Sequence, residues 1–586
     1  MKKNIIIIFI LLLATFGCSK DILDRKPLDV MTEEIVWKDP ALINAYLNGI
    51  YADVPFLLND AVDWTNWQWI AREYMDMNLS DECRSNLFQP DPIFKLGLLQ
   101  SEGGCLEWWG YPTIRKANDF IERVTASTVV AEAVKKQKVA EARFLRAFAY
   151  FTIVKRYGGV PLITKAQKAT DTEEELYRKR EKEEDIYNFI ITELDAITAD
   201  LPATYAAADY GRASKYAAMA LKSRAAMYAA SISQWGKVQI DGVVGIPANK
   251  TQSLWQASYD ASKAIIDSHV FALYNKYPTD KAKNYQMIWL DERNIETILA
   301  KPYTGNGGVA NNWEFCQVPR TKHPWGSGQG SVPYLEMIES YDNVDGSSGK
   351  LDRTLLTSKL WTLDELWGNK DPRFKASIYT QGTSWMGKNL DFYRGIQDES
   401  GNIITTGAYQ GLPWSGTDGR GVGTPFGVLK FLDPTTVAQW WDFGATDWIV
   451  FRYGEILLNY AEAAFELNKP NEALDAVNQI RTRAGIAPLT SITREAIRHE
   501  RKVELAFELN RYWDLRRWRT AVTDLTRDFT SFNYILDYHT KKFKIQLIDK
   551  IDGASASPVF FEKNYYFPIT PNRIANNKNL VENPGY

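Results

Sequence analysis

Cysteine and histidine are scarce in this chain of 586 residues. It has four Cys (Cys18, Cys83, Cys105 and Cys316) and four His (His269, His323, His499 and His539). No CxxC pair occurs and the histidines are widely separated, which excludes a zinc site of the usual spacing and a disulfide-dense scaffold. An excess of one charge is missing too. Lys plus Arg is 69 and Asp plus Glu is 72, a net charge of −3, so nothing draws the whole chain to nucleic acid or anionic membranes. Common catalytic signatures are absent: there is no GxSxG, no Walker A and no HExxH. The longest apolar stretch is near the start, from Ile5 to Phe16, too short to span a bilayer as a helix, which needs about 20 residues.

That stretch follows Lys2 and Lys3 and ends at Gly17-Cys18, the pattern of an export signal. The small Gly17 before Cys18 predicts a lipoprotein signal over residues 1–17, with Cys18 acylated and anchoring the mature chain. An ordinary signal-peptidase site with a chance Cys is the plainer alternative. Export implies an oxidising compartment, where Cys83 and Cys105 could pair and one thiol would remain; buried free thiols fit as well.

Three regimes follow. Residues 18–38 read as a polar tether. Helical periodicity dominates from Pro40 to about His269 and again from Trp448 to Thr520, with helices expected at 138–157, 184–200, 214–233, 254–268, 449–468 and 471–484. Small Ala facing large Tyr and Leu suggests degenerate tetratricopeptide-like helix pairs in a mainly α fold with little sheet. Between them, at about 280–445, lies a loop-rich insertion with 21 of the 37 Gly. We expect residues 39–586 to form one domain. Glu500, Glu504 and Glu508, spaced by four among Arg501, Arg511, Arg516 and Arg517, read as a salt-bridge lattice on one helix rather than a glycosidase carboxylate pair. His323, a lone loop histidine, reads as a surface residue.

Aromatic content is high, 13% with 20 Trp. Trp64, Trp67 and Trp69 precede Arg72, Asp81 and Arg84. Trp313, Trp325, Trp385, Trp414, Trp440 and Trp441 lie in or beside the glycine-rich insertion. Flat aromatic faces stack on sugar rings, and nearby Asp, Asn and Arg hydrogen-bond hydroxyls. A loop-anchoring core is the competing reading of each Trp. Trp513 and Trp518, expected on one helix at 500–518, read as core.

Several segments in order resemble the SusD/RagB family of outer-membrane nutrient-binding lipoproteins. They are Cys18-Ser19-Lys20-Asp21 with Pro27, WWGYPTIRKANDF at 108–120, AEARFLRA at 140–147 before Gly158-Gly159-Val160-Pro161, Gly211-Arg212-Ala213 and Asp371-Pro372-Arg373. RYGEILLNYAEAAFE at 452–466, NQIRTRAG at 478–485, ERKVELAFELNRYWDLRRW at 500–518 and the closing NPGY at 583–586 complete the series. The resemblance implies four tetratricopeptide-like helix pairs, no catalysis and a lipid-anchored place on the outer membrane of a Gram-negative cell; no cofactor is expected and no metal ligands are singled out, while a bound calcium ion stays open. It implies a SusC-like TonB-dependent transporter as partner, with this chain as its lid, and a glycan site in loops at about 60–110 and 300–330. By that position the candidates are Trp67, Trp69, Asp81, Arg84, Trp313, Arg320 and Trp325. A lipid-anchored glycoside hydrolase or polysaccharide lyase of helical fold is the alternative from another class. Whether the glycan is acidic or neutral stays open.

Overall fold

The computed structural model describes residues 36–57, 75–86, 95, 106–305, 308–326, 328–419, 423–437, 440, 443–552 and 557–586. The longer helices, numbered in chain order, are α1 Pro40–Asp53, α2 Tyr111–Thr125, α3 Glu132–Tyr157, α4 Glu183–Ile197, α5 Lys215–Trp235, α6 Thr251–Asp267, α7 Lys281–Leu290, α8 Tyr453–Glu466, α9 Pro470–Ala484, α10 Arg494–Glu504 and α11 Arg511–Arg517. Their ends follow local chemistry. Asp39 caps α1 through the Ala41 N–H at 2.7 Å, with Pro40 at the first position. Ser214, Asp280 and Thr493 cap α5, α7 and α10 in the same way. α3 stops at Gly158, whose φ of 75° suits glycine, and α9 at the left-handed Gly485. α3 begins six residues before the expected boundary, because residues 132–137 continue the helix as an exposed polar turn.

Consecutive helices pack on one another from α2 to α6, and then α6 packs on α8 and α8 on α9. The early and late helical stretches therefore share an interface, and one buried apolar cluster runs from Ile43 to Leu580. Small side chains let α5 and α6 approach closely. The Ser223 and Ser262 hydroxyls meet at 2.7 Å, and Ser258 donates to the Ser223 carbonyl at 2.9 Å. The insertion is built from short helices and strands. A four-stranded sheet joins it to the C-terminal part of the chain, with Ser531–Asp537 between Phe543–Ile548 and the parallel Ile396–Gln397, and Ile403–Ile404 at the edge.

The segment 500–518 is not one helix. α10 ends at Glu504, and Phe507 and Leu509 have positive φ, 62° and 60°. The break frees backbone carbonyls that the lattice uses: Lys430 Nζ donates to the Ala506 carbonyl at 2.8 Å and Arg452 to that of Glu504 at 2.8 Å. Phe507 N–H in turn donates to Glu82 at 2.9 Å. Glu508 thus reaches Arg452 and Lys430 from a loop, not from the helix face of Glu500 and Glu504. The lattice itself is present and buried. Glu504 receives Arg373, Arg452 and Arg483, and Glu296 and Glu500 bind the outer guanidinium groups. A Cβ on Gly454 would come within 2.4 Å of Arg452, so only glycine fits beside it. A second network joins Arg501 and Arg517 to Asp514 and Glu462. Trp513 and Trp518 are core, 2% and 3% exposed.

Candidate functional site

Two indoles stand out of the surface, Trp325 at 44% and Trp440 at 41% exposure. Every other described Trp is buried or half-buried. Trp325 is presented by the loop 318–330, which folds back on the short helix Trp313–Gln317. Gln329 N–H donates to the Val318 carbonyl at 2.8 Å and Gly330 N–H to that of Cys316 at 2.7 Å. Gln317 and Ser331 exchange two further bonds. A Cβ on Gly328 would lie 2.3 Å from the Val318 oxygen, so the closure requires glycine. At the tip, His323 Nδ1 accepts the Trp325 N–H at 3.0 Å. Trp440 comes from the far end of the insertion. Asn311 and Gly444 hold that segment in place by exchanging backbone bonds of 3.0 and 3.1 Å.

The rings form layers. Buried Trp313 packs against Phe431 and Trp448, with centroids 5.0 and 5.8 Å away, and its Nε1 donates to the Lys430 carbonyl at 2.8 Å. Phe315 meets Trp325 edge-on at 4.9 Å and Trp440 at 6.5 Å. Trp325 and Trp440 meet at 4.8 Å and 90°. Arg320 and Lys322 sit just before them on a half-exposed 3-10 turn, which Thr321 ties to Asp418. Among the described residues this patch holds no carboxylate pair across a cleft and no nucleophile beside a free base. Its chemistry is apolar stacking flanked by cationic donors.

The sequence matches the profile of the SusD family over residues 295–586, and over 23–227 that of a group described as starch-binding and associating with the outer membrane. It is 24% identical to a SusD-like protein of Bacteroides ovatus, over 89% of this chain and 84% of the relative. A solved SusD-like protein from Bacteroides fragilis superposes with a TM-score of 0.73 at 26% identity, covering 96% of this chain and 100% of that one. The chain belongs to the SusD family. A second Bacteroides fragilis structure, of a SusD-like carbohydrate-binding protein, shares the fold at 23% identity, with a TM-score of 0.71 and coverage of 93% and 100%. The SusD-like fold, mainly α with helix pairs and a loop-rich part, accounts for the architecture above.

Within this SusD-family fold the two loop regions singled out in the sequence are neighbours. Cys83–Ser85 pairs antiparallel with Ser331–Pro333, placing Arg84 opposite Val332, and Asn86 N–H donates to the Gly330 carbonyl at 2.8 Å. Not all candidates face outward. Asp81 is 2% exposed and bound by Arg511 and Lys502 at 2.7 and 2.9 Å. Burial opposes its ionisation, but Arg511 and Lys502 overcome that and hold its carboxyl well below the usual range. Trp313 is 3% exposed and is the anchor beneath the patch. Both are scaffold residues, because their polar atoms and ring faces are already used. Arg84 is three-quarters covered and donates to the Ser85 and Ile551 carbonyls beside Asp552. Arg320 is half-exposed and Trp325 is exposed. Trp67 and Trp69, with Trp64, Arg72, Cys18, Cys105 and Trp441, lie outside the described residues. Cys83 and Cys316 are buried. Trp385 is 1% exposed and Trp414 half-buried. Trp440 was not among the candidates; only the packing of residues distant in sequence sets it beside Trp325.

His323 is a buried loop anchor, 7% exposed, not a surface residue. Burial lowers its pKa from 6.5 to about 4, Arg320 adds to this, and a hydrogen bond with the Phe315 backbone opposes it. The neutral ring leaves Nδ1 free to accept from Trp325. The unfolded loop binds a proton below about pH 6.5 and the folded loop only below about pH 4. Its contribution is therefore complete above pH 6.5 and declines as pH falls to about 4. Loop stability should fall over this window, and ligand binding should weaken as pH nears about 4, where the folded ring itself takes a proton. His323→Asn keeps a local acceptor for the N–H two residues on but cannot titrate, so its affinity should vary less with pH. Parallel pH profiles of the two proteins would discount the His323 contact.

Proposed function

We propose that this protein is a non-catalytic, surface-exposed lipoprotein of the outer membrane that captures oligosaccharides or polysaccharides. It delivers them to a SusC-like TonB-dependent transporter, for which it serves as lid. The observation that carries the binding role is the pair of exposed indoles, Trp325 and Trp440, set edge-on against an anchored aromatic layer. Full burial of a large apolar side chain is worth about 1.5–3 kcal/mol; Trp325 and Trp440, 44% and 41% exposed, forgo part of that, and a ligand with flat apolar faces restores it. Arg320 and Lys322 supply donors for hydroxyl or carboxylate groups. Family membership supports the membrane location and the transporter partner.

Affinity electrophoresis against a panel of polysaccharides tests the binding role, with retardation by at least one glycan expected. Release of reducing ends or unsaturated products from that glycan would replace the non-catalytic reading with a hydrolase or lyase. The address rests on Gly17-Cys18. Among the described residues no helix is long and apolar enough to cross a membrane. Cys18→Ala should abolish acylation and release the protein from membranes in cells lacking the transporter. Full retention after a carbonate wash would rule out the lipid anchor.

A further inference from the structure

Where α3, α5, the strand Trp448–Arg452 and the connection into α11 meet there is a recess of about 80 Å³, with half-exposed residues such as Lys155, Arg224 and Leu509 among its lining. The side chains around it carry unequal charge. Lys155, Arg156, Arg224 and Arg452 are cationic; Asp76, Glu455 and Glu508 are anionic. Arg452 is also bound by Glu296 and Glu504 from outside the lining, so the imbalance lies with Lys155 and Arg156, which have Asp76 alone beside them. The pairings sharpen this imbalance. Arg224 grips both oxygens of Glu455, at 2.6 Å each. Arg452 grips Glu508 at 2.7 and 2.8 Å. Asp76 accepts from the Trp513 indole N–H. Among the described residues, Arg156 donates only to the Leu106 and Thr152 carbonyls, at 2.7 Å each.

Lys155 is left over. Its Nζ lies 4.3 Å from the Trp513 ring centroid and 5.5 Å from that of Phe151. Among the described residues it has no hydrogen-bond acceptor and no carboxylate within 4 Å. Arg156 and Arg516 also lie against Trp513, at 4.7 and 5.2 Å, and Arg516 donates to the Asn564 and Tyr565 carbonyls and the Tyr512 hydroxyl. Three cations thus surround one indole with Asp76 as their carboxylate. An ammonium carries three donors, and those of the half-exposed Lys155 meet no protein acceptor among the described residues. Burial, reinforced by Arg156, holds the Lys155 amine well below its ordinary range. The space greatly exceeds the roughly 10–15 Å³ that one water requires.

We propose that this recess is a binding site for one small monovalent anion of halide size, held by Lys155 Nζ. Such an ion balances the excess charge and supplies the acceptor that Lys155 lacks. It would sit where the early helices, the strand leading into α8 and the connection into α11 meet, so its binding would stabilise that junction in proportion to the logarithm of anion concentration. The site is independent of the glycan reading.

Crystals of the whole protein grown in sodium bromide provide the test. The expected result is an anomalous bromide peak within hydrogen-bond distance of Lys155 Nζ. Melting temperature should rise with bromide relative to sulfate at matched ionic strength, and Lys155→Met should lose both the peak and the bromide-specific rise. Ordered water alone in the wild-type recess, or a bromide response unchanged in Lys155→Met, would overturn the proposal. If Lys155→Met does not fold, the wild-type anomalous map decides by itself.

Discussion

Trp325→Ala weakens binding of the best-retained glycan about tenfold, and Trp440→Ala does the same. Stacking on an aromatic face contributes on the order of 1 kcal/mol beyond area burial, and the covered area adds to it; about 1.4 kcal/mol is one decade in affinity. The two rings touch, with centroids 4.8 Å apart, so their effects should not be independent. Removing either leaves the other without its edge-on support. The double variant should therefore lose less than the hundredfold that two independent decades would give. Trp513→Phe, by contrast, should lower the melting temperature and spare affinity, since that ring is buried and donates to Asp76. Calorimetric titration with melting curves alongside separates the outcomes. Unchanged affinity in both single variants would remove this patch from the binding site. A fall in melting temperature without an affinity change would make the two indoles loop anchors.

Glu504→Gln should destabilise the fold by about 3–5 kcal/mol, the range for breaking a buried ion pair by removing one partner. Glu504 is fully buried and meets three guanidinium groups, Arg373, Arg452 and Arg483. Burial alone would raise its pKa, but Arg483, Arg452 and Arg373 outweigh this and keep it ionised. Removing the charge leaves three buried cations sharing the remaining carboxylates. The partners come from Pro372–Ser377, from Trp448–Arg452 and from α9, so the loss acts on the later helical stretch and the insertion together. A control is Asp267→Asn, which breaks an exposed Lys263 pair and should cost less than about 1 kcal/mol. Urea unfolding distinguishes them. Equal small changes in both would mean that the lattice contributes no more than a surface pair. Glycan affinity of the Glu504→Gln protein that remains folded should be normal.

Periodicity was enough to place most long helices, because the spacing of Ala, Leu and Tyr is itself what packs one helix on the next. The glycine and capping residues at their ends act within a few residues of chain, so they too are local and legible. The carboxylate lattice was visible as a motif, yet its geometry was not. Phe507 and Leu509 adopt positive φ with no glycine or proline to announce it. That break exists because Glu82, Lys430 and Arg452, all remote in sequence, take the backbone groups it exposes.

The site divides along the same line. From residue order, Trp313 and Trp325 have similar surroundings, a polar loop with glycine close by. Trp313 is covered because Phe431 and Trp448 arrive over it from more than a hundred residues away. Trp325 stays open because Gly328 and His323 fold its loop outward and the ring that meets it, Trp440, is itself exposed. Asp81, polar and close to a Trp cluster in sequence, is claimed by Arg511 and Lys502 more than four hundred residues later. By itself the sequence determined the helical class, the family and the concentration of aromatics in and beside the glycine-rich insertion, since these depend on residue type and local spacing. Which aromatics remain exposed was decided only by the tertiary structure, because burial is set by whichever distant segment packs against a ring.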